Sequence, residues 1–296
     1  MTPPSGRNWI VKSHALGNDY LVVDPASLSF PLTPQTIQRV CHRHLGVGSD
    51  GILALAPSAR ADFGLRIYNP DGSEAEKSGN GLRIFARFLY DHGYTHRPAF
   101  TVETPGGTAG ITLHLKDGRV DQMTVDVGRA TFQSADIPVA GPPREVVDEI
   151  IEAGDQRLEI TAVSVGNPHC VVFVPDLSLI NLGQMGPLLE THPMFPNRTN
   201  VQFAQIVARD RVKILIWERG AGETMASGTS ASAVAAASVR EGLTDRAMTI
   251  SAPGGDLRIS VADDWSIRMT GPAEEVYAGT LSADLVAALL AMGGGR

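Results

Sequence analysis

The segment NPDGSEAEKSGNGLRIFARFL, residues 69–89, is the most informative part of the sequence, because its pattern returns later as ERGAGETMASGTSASA, residues 218–233. Each copy is a polar, glycine-bearing loop followed by Ser-Gly and a segment with helical character. The serines of the two copies, Ser78 and Ser227, lie 149 residues apart. A repeat of this period is far too long for a solenoid. It predicts two similar lobes in one chain.

Further matches at the same offset support the repeat. Gly17-Asn18 falls on Gly166-Asn167, and each pair leads into an apolar strand. The first copy predicts a helix over about Asn80–His92, with large apolar residues at helical spacing. The second copy predicts a helix over about Thr229–Glu241 that is rich in Ala and Ser. A helix without large side chains can pack closely on all sides, so we expect it inside its lobe.

The alternating patterns that follow both helices are typical of antiparallel strands. We therefore predict an α/β fold of two pseudo-symmetric lobes, each a curved, mostly antiparallel sheet wrapped around a central helix. The predicted boundaries give an N-terminal lobe of residues 1–120 plus 273–296 and a C-terminal lobe of residues 121–272. The segment Arg144–Glu152 is predicted to form a short surface helix.

Composition excludes several classes of protein. The chain has 296 residues, 43% of them hydrophobic, which is enough for a substantial core and excludes a disordered chain. A net charge of −7 makes it a poor partner for nucleic acid or an anionic membrane. Its two cysteines form neither a disulfide framework nor a zinc spacing. With no visible secretion signal and no membrane-length apolar run, we expect a cytoplasmic protein.

Two similar lobes also predict a chemistry. They form a cleft between them, and the two Ser-Gly helix starts are expected on its opposite walls. A helix N-terminus offers free N–H groups and a positive dipole end, which suit a carboxylate or phosphate. An acidic small molecule held there would have one side chain on each face. Inversion of a carbon stereocentre needs such a pair, because one group removes the α-proton and the opposite group returns one.

Six blocks follow one another along the chain: HALGNDYLVVD, RHLGVGSDGIL, YNPDGSEAEKSGNGLRIFARFL, TPGG, VGNPHCVVFV and WERGAGETMASGTSASA. In their order and spacing the sequence resembles the diaminopimelate epimerase family, over nearly the whole chain from about Val11 to Tyr277. The resemblance implies the same two-lobed fold, no cofactor and no metal. It also implies inversion of one α-carbon of LL-diaminopimelate to the meso form, for lysine and peptidoglycan synthesis, by a homodimer.

The sequence departs from this family at the catalytic pair. The family uses two cysteines, each heading a central helix, and here those positions hold Ser78 and Ser227. A helix start brings a thiol pKa toward neutrality, whereas a serine hydroxyl is a far weaker acid. Serine is also among the best N-cap residues, so capping and acid/base chemistry are both open interpretations. The resemblance further implies His169 beside the catalytic pair and Glu218 as a support for proton transfer.

The resemblance also implies a set of substrate ligands. Arg219 is expected to clamp the distal carboxylate, which suits the bidentate guanidinium fork. Amide side chains can serve ammonium and carboxylate groups alike, although asparagines are commonest in turns. The predicted amide ligands and helix-start residues are Asn18, Asn69, Asn167, Asn200, Gly79, Asn80, Gly228 and Thr229.

Three functions are compatible with this sequence. The first is an amino-acid epimerase with diaminopimelate as its substrate. The second is another isomerase or a dehydratase on the same scaffold, because elimination of a β-leaving group needs a base on only one face. The third is a catalytically silent paralogue that binds an amino acid or a partner protein. The Asn, Glu and Arg set predicts an amino-acid ligand in all three cases.

Overall fold

The structure is a computed structural model that describes residues 6–293. The chain divides into two compact units. Unit 1 is Met1–Val125 with Gly271–Arg296, and unit 2 is Asp126–Thr270. The domain boundaries given above stay a prediction, and their outermost residues, 1–5 and 294–296, lie outside the described part of the chain.

In its described residues, unit 1 is a sheet with three α-helices. The helices are α1 (Pro34–Cys41), α2 (Gly79–Asp91) and α5 (Ala283–Gly293). The strands are β1 (Trp9–Ala15), β2 (Asn18–Val23), β3 (Ile52–Ala56), β4 (Phe63–Tyr68), β5 (Glu74–Ala75), β6 (Ala99–Thr104), β7 (Gly107–Lys116), β8 (Arg119–Arg129), which continues into unit 2, and β18 (Glu274–Thr280).

Unit 2 repeats this arrangement with two α-helices. These are α3 (Leu182–Glu190) and α4 (Gly228–Arg240). The strands are β9 (Glu149–Ala153), β10 (Gln156–Ser164), β11 (Pro168–Phe173), β12 (Asn200–Ala208), β13 (Arg211–Glu218), β14 (Gly222–Thr224), β15 (Ala247–Ala252), β16 (Gly255–Val261) and β17 (Ser266–Gly271).

The two units share one strand order and one set of strand directions. In unit 1 the order is β18-β1-β2-β3-β4-β6-β7-β8, and β5 also pairs with β4. In unit 2 the order is β9-β10-β11-β12-β13-β15-β16-β17, and β14 also pairs with β13. The parallel pairs also correspond, β2–β3 and β4–β6 in one unit and β11–β12 and β13–β15 in the other. The mostly antiparallel α/β fold is thus confirmed, and the repeat extends to topology.

Each unit encloses one long helix. The helix α2 packs against β1, β2 and β7 through large buried residues that include Leu82, Phe85 and Phe88. The helix α4 contacts β10, β11, β12, β15 and β16, and its residues from Ser230 to Ser238 are buried without interruption. Its Ala and Ser side chains allow this close approach on all sides, as the sequence predicts.

Both central helices begin and end in the same way. Ser78 and Ser227 are their N-cap residues, with extended backbone, and each Oγ accepts from a backbone N–H three residues on. Gly93 and Gly242 follow the two helices with φ near 75°, a left-handed conformation that glycine adopts at low cost. The capping interpretation of both serines is therefore confirmed.

The predicted helix over Arg144–Glu152 is wrong. This segment leads into the strand β9, which pairs antiparallel with β10. Burial alternates along β9, with Ile151 and Ala153 facing the core of unit 2 and Ile150 and Glu152 facing out. Pairing with a neighbouring strand has overridden the local pattern. No helix within residues 6–293 is long and apolar enough to cross a membrane.

Candidate active site

Four of the predicted site residues of unit 1 meet where β2 begins and α2 begins. Ser78 Oγ accepts from the N–H of Gly81 at 3.0 Å. Two residues into the helix, buried Asn80 donates its side-chain amide to Oδ1 of Asn18 at 3.0 Å. We call Asn18, Ser78, Gly79 and Asn80 the Ser78 cluster. The structure therefore brings four predicted residues together within this unit.

A charged network orients the Asn18 amide. Asn18 Nδ2 donates to Asp50 Oδ2 at 3.0 Å, and Arg43 donates to Asp50 Oδ1 at 2.6 Å. Arg43 also pairs with Asp19. Burial acts to raise the pKa of Asp19, but the hydrogen bonds that Arg43 and Lys12 donate to this carboxylate outweigh it and lower the pKa. The Asn18 amide thus has one fixed orientation, with its oxygen toward Asn80 and its nitrogen toward Asp50.

A fully buried arginine braces the other side of the cluster. Arg83, in the first turns of α2, donates to Asn80 Oδ1 at 2.9 Å and to the carbonyl oxygens of Gly79 and Pro272. Burial lowers the pKa of Arg83 to about 9, which still leaves the guanidinium charged at neutral pH. A buried cation beside a helix N-terminus makes this place more favourable for an anion.

Asn69 occupies the turn that precedes β5. Its side-chain amide donates to Ser73 Oγ at 3.0 Å, and its backbone N–H donates to the Ser73 carbonyl oxygen. These are bonds of a turn residue, and Asn69 keeps its role as a substrate ligand only as a prediction.

In unit 2, parallel pairing aligns a second group of predicted residues. His169 on β11 lies opposite Asn200 on β12 in the parallel ladder. Asn200 Nδ2 donates to the Pro168 carbonyl oxygen at 2.8 Å, and Asn200 Oδ1 accepts from the backbone N–H of Arg219 at 3.0 Å. His169 Nε2 lies 3.0 Å from Asn167 Oδ1. The residues Asn167, His169, Asn200 and Arg219 therefore form one connected group.

The start of α4 joins this group through two further residues. His169 Nδ1 lies 3.3 Å from Gln202 Oε1, and Gln202 Nε2 donates to Ser230 Oγ at 3.0 Å. The backbone N–H of Ser230 donates to Ser227 Oγ at 3.4 Å. Ser227 Oγ also lies 3.3 Å from Thr229 Oγ1. We call the whole set the Ser227 cluster. Its members are Asn167, His169, Asn200, Gln202, Arg219, Ser227, Gly228, Thr229 and Ser230.

The His169 ring is neutral. The side chain is fully buried, and burial lowers its pKa to about 3, with a smaller contribution from the positive charge of Arg219. Such a ring is a weak base in the folded protein, and it acts at neutral pH as a hydrogen-bonding group.

Glu218 and Arg219 lie where β13 ends. Glu218 is half-buried, and its carbonyl oxygen accepts from the N–H of Ala221 in the following turn. Arg219 is exposed, and one of its five guanidinium N–H donors goes to the Asn197 carbonyl oxygen at 3.0 Å. This geometry leaves the fork at the surface of unit 2, where an anionic group can reach it.

Neither cysteine replaces a catalytic thiol. Cys41 ends α1 and Cys170 packs in the core of unit 2, and both are buried and free. Burial raises the pKa of the Cys170 thiol to about 12 and also raises that of Cys41. Within residues 6–293, no group of three or more His, Cys, Asp or Glu side chains is placed to hold a metal ion.

Four residues that belong to these clusters or contact them were not predicted from the sequence: Asp50, Arg83, Gln202 and Ser230. Arg83 and Gln202 had a signal, because each is a polar residue within an apolar run, LRIF and VQFA. Such residues must find buried partners. For Asp50 the only sequence signal was its position in the block RHLGVGSDGIL, and for Ser230 it was its position in the second copy of the repeat.

Comparison with known proteins gives two kinds of match. The family model described as diaminopimelate epimerase matches residues 10–133 and 161–276. A relative from Nostoc sp., named diaminopimelate epimerase 2, is 49% identical over 93% of this chain and 96% of its own. Diaminopimelate epimerase from Pelotomaculum thermopropionicum is 45% identical over 90% of this chain and 96% of its own.

The solved structures extend the likeness at the level of the fold. A probable proline racemase from Agrobacterium radiobacter superposes with a TM-score of 0.70 over 93% of both chains, at 18% sequence identity. The proline racemase structure contains bound carbonate. At this identity the match shows a shared fold.

Proposed function

The chain belongs to the diaminopimelate epimerase family, and we propose that it is a cofactor-independent epimerase of LL-diaminopimelate, giving the meso form for lysine and peptidoglycan synthesis. It is an isomerase of the amino-acid racemase and epimerase class. The observation that carries the site assignment is that Ser78 and Ser227 cap two corresponding helices in two units of one topology. We assign them to the positions of the family's acid/base pair on the resemblance described above.

The reaction divides into two proton transfers. One group takes the α-proton, and the electron pair of the broken Cα–H bond moves into the α-carboxylate as an enediolate. A proton from the opposite group then forms the new bond on the other face. In this proposal Ser78 is one of these two groups and Ser227 is the other, and Glu218 and His169 support the transfer.

The surrounding residues supply binding. The first turns of α2 and α4 provide backbone N–H groups at Gly79, Asn80, Gly228 and Thr229, and these suit a carboxylate. Arg219 takes the distal carboxylate. The amide ligands are Asn18, Asn69, Asn167 and Asn200. Support comes from the contacts within each cluster, where Asn18 meets Asn80 and Asn200 meets Arg219.

Proton transfer is the step in which the serines matter most. Each hydroxyl already accepts a backbone N–H as an N-cap, and it keeps its own proton to donate. A helix N-terminus favours negative charge on that oxygen, but an alkoxide is far more costly than a thiolate. We therefore expect that the protein binds its substrate tightly but epimerises it slowly.

A homodimer is part of the proposal, and β18 supports it. Among the described residues this strand pairs only with β1, and its outer edge is open. Val276 and Tyr277 on it are 55% and 42% exposed. An open edge with exposed apolar side chains suits pairing with a second copy of the chain. Light scattering on Tyr277→Lys should show a monomer if this edge forms the dimer.

We also propose that this is a cytoplasmic protein with a small-molecule amino-acid substrate and with neither a nucleic-acid nor a membrane partner. The net charge of −7 supports this, because phosphate-rich partners bind through clustered Lys and Arg.

One experiment tests the function directly. The protein is incubated with LL-diaminopimelate in D₂O, and α-deuterium and meso product are measured. We expect α-deuterium and meso product to appear in equal amounts, with no metal or cofactor added. Deuterium without meso product would favour chemistry on one face only, as in a dehydratase. Binding without deuterium would favour a silent amino-acid-binding protein.

A further inference from the structure

A buried chain of side chains links His169 to the start of α4. It runs from Asn167 through His169 and Gln202 to the Ser230 hydroxyl, with contacts of 3.0, 3.3 and 3.0 Å. His169, Gln202 and Ser230 are each 0% exposed. Buried polar atoms without partners are costly, so the protons in this chain must be arranged to satisfy every member.

The strand register explains why these groups meet. Asn200 and Gln202 are two residues apart on β12, so both side chains leave the same face of the sheet. His169 stands opposite Asn200 on the neighbouring strand, and α4 packs across this face. Gln202 therefore fills the space between the ring and the first turn of the helix.

Counting protons identifies the orienting residue. A neutral imidazole has a single N–H, yet the ring lies between two amide oxygens, those of Asn167 and Gln202. Only one of these oxygens can accept, and the other amide must present its nitrogen. Asn167 is half-buried and can turn its amide at little cost. Gln202 is enclosed, and its nitrogen already donates to Ser230.

We propose that Gln202 and Ser230 are positioning residues that fix the proton of His169 on Nδ1. Ser230 holds the Gln202 amide so that its oxygen accepts from Nδ1–H. The unprotonated Nε2 then faces Asn167, which is one of the predicted substrate ligands. The effect of this tautomer on catalysis rests on the function proposed above, whereas the presence of the tautomer does not depend on that function.

The same serine also reaches the predicted catalytic hydroxyl. The Ser230 backbone N–H donates to Ser227 Oγ, while its side chain accepts from Gln202. Ser230 thereby ties the orientation of Ser227 to that of His169. Replacing its hydroxyl leaves the backbone bond in place, so Ser230→Ala separates the two effects.

Nitrogen-15 NMR of the whole protein tests the tautomer. Long-range proton–nitrogen spectra distinguish protonated from unprotonated ring nitrogens, and the His169→Gln variant identifies the His169 signals. We expect the Nδ1–H form, unchanged from pH 5 to 8. Ser230→Ala and Gln202→Leu should convert it to a mixture or to the Nε2–H form. An Nε2–H form in the unaltered protein would overturn the proposal, as would an unchanged Nδ1–H signal in both variants.

Two further variants sharpen this reading. Gln202→Glu keeps an acceptor at Nδ1 but adds a buried negative charge, so Nδ1–H should persist and the pKa of His169 should rise by about 1 to 3. Gln205→Leu removes a glutamine from the same strand, whose oxygen accepts from Leu177 instead. This control should leave the His169 signals unaltered. Should Gln202→Leu not fold, Ser230→Ala carries the test.

Turnover separates this proposal from the proposed function. In the D₂O assay, Ser230→Ala should lower kcat about tenfold with KM unchanged, and Gln205→Leu should lower neither. An Nδ1–H ring that responds to Ser230→Ala, in a protein without epimerase activity, would support the positioning proposal and refute the function. An active enzyme with an Nε2–H ring would refute the positioning proposal alone.

Discussion

Asn80 donates its side-chain amide to Oδ1 of Asn18 over 3.0 Å, and this bond ties the first turn of α2 to the first residue of β2. Asn18 in turn donates to Asp50, so the predicted ligand has both ends of its amide occupied by partners of opposite character. One hydrogen on nitrogen and one lone pair on oxygen remain for a substrate. Their directions are set before the substrate arrives.

Removing the Asp50 carboxylate should therefore weaken substrate binding. Asp50→Ala frees the Asn18 amide to rotate, and we expect diaminopimelate affinity to fall about tenfold, which corresponds to ~1.4 kcal/mol. Calorimetric titration measures this loss. Asp62→Ala is the matched control, because Asp62 binds Arg97 and Thr101 in the same unit but touches no predicted ligand. Equal losses in both variants would contradict the orienting role of Asp50.

Cysteines at both helix starts should accelerate the reaction. Ser78→Cys combined with Ser227→Cys supplies groups whose pKa lies near working pH, where acid/base catalysis is most efficient. We expect the initial rate of α-deuterium exchange to rise about 100-fold or more, and each single variant to gain much less. Inversion needs a competent group on each face, which is why the single changes should fall short. A double variant that binds diaminopimelate without exchange would refute the substrate assignment.

The clamp predicts a difference between ligands. Arg219→Ala should weaken diaminopimelate, which has two carboxylates, by about 1.5–3 kcal/mol, and a monocarboxylate amino acid much less. Competition binding with both ligands measures the difference. Arg198→Ala is a suitable control, since Arg198 is an exposed arginine of the same unit that pairs with Glu190. If Arg219→Ala weakens both ligands equally, Arg219 is not the clamp.

Glu241 predicts a pH-dependent stability. It caps the C-terminal end of α4, and burial raises its pKa to about 7, with smaller contributions from the charges of Asp148 and Glu159. The folded chain therefore binds a proton there more tightly than the unfolded chain, whose carboxyl has a pKa near 4.5. The stability from this proton is present in full below about pH 4.5 and is lost as pH rises through 7.

A neutral side chain at this position should remove that loss. Glu241→Gln keeps an oxygen to accept from the Thr161 hydroxyl and carries no charge. We expect a melting temperature close to the unaltered protein at pH 5 and a higher one at pH 8, measured by calorimetry. Glu152→Gln, at an exposed glutamate of β9, should change neither. A variant that is equally stabilised at both pH values would show that the proton at Glu241 is not the cause.

The sequence predicted those features that are local or duplicated. Both central helices lie within about one residue of their predicted bounds, because Ser caps and following glycines are signals read within a few residues. The error over Arg144–Glu152 has the opposite origin. Whether β9 forms is decided by β10 and the core beneath Ile151, and a single segment carries no record of either.

The candidate site divides along the same line. The two serines and the amide residues are visible as matched motifs. Asp50 and Gln202 act through partners 32 and 28 positions away, Asn18 and Ser230, and no periodicity joins them. The full burial of His169 likewise depends on packing between two strands and a helix. Electrostatic consequences of burial therefore had to come from the structure.

Unit 1 is formed by two separate stretches of the chain, and this has a consequence for synthesis on the ribosome. The strand β18 pairs with β1 but comes from residues 274–280, so the sheet of unit 1 lacks this strand until synthesis has passed residue 280. Unit 2, residues 126–270, is continuous and is complete earlier. The usual order, in which the N-terminal part of a chain folds first, is thus reversed for the final step. Meanwhile the growing chain exposes the free edge of β1, a surface that a chaperone or another nascent chain can bind.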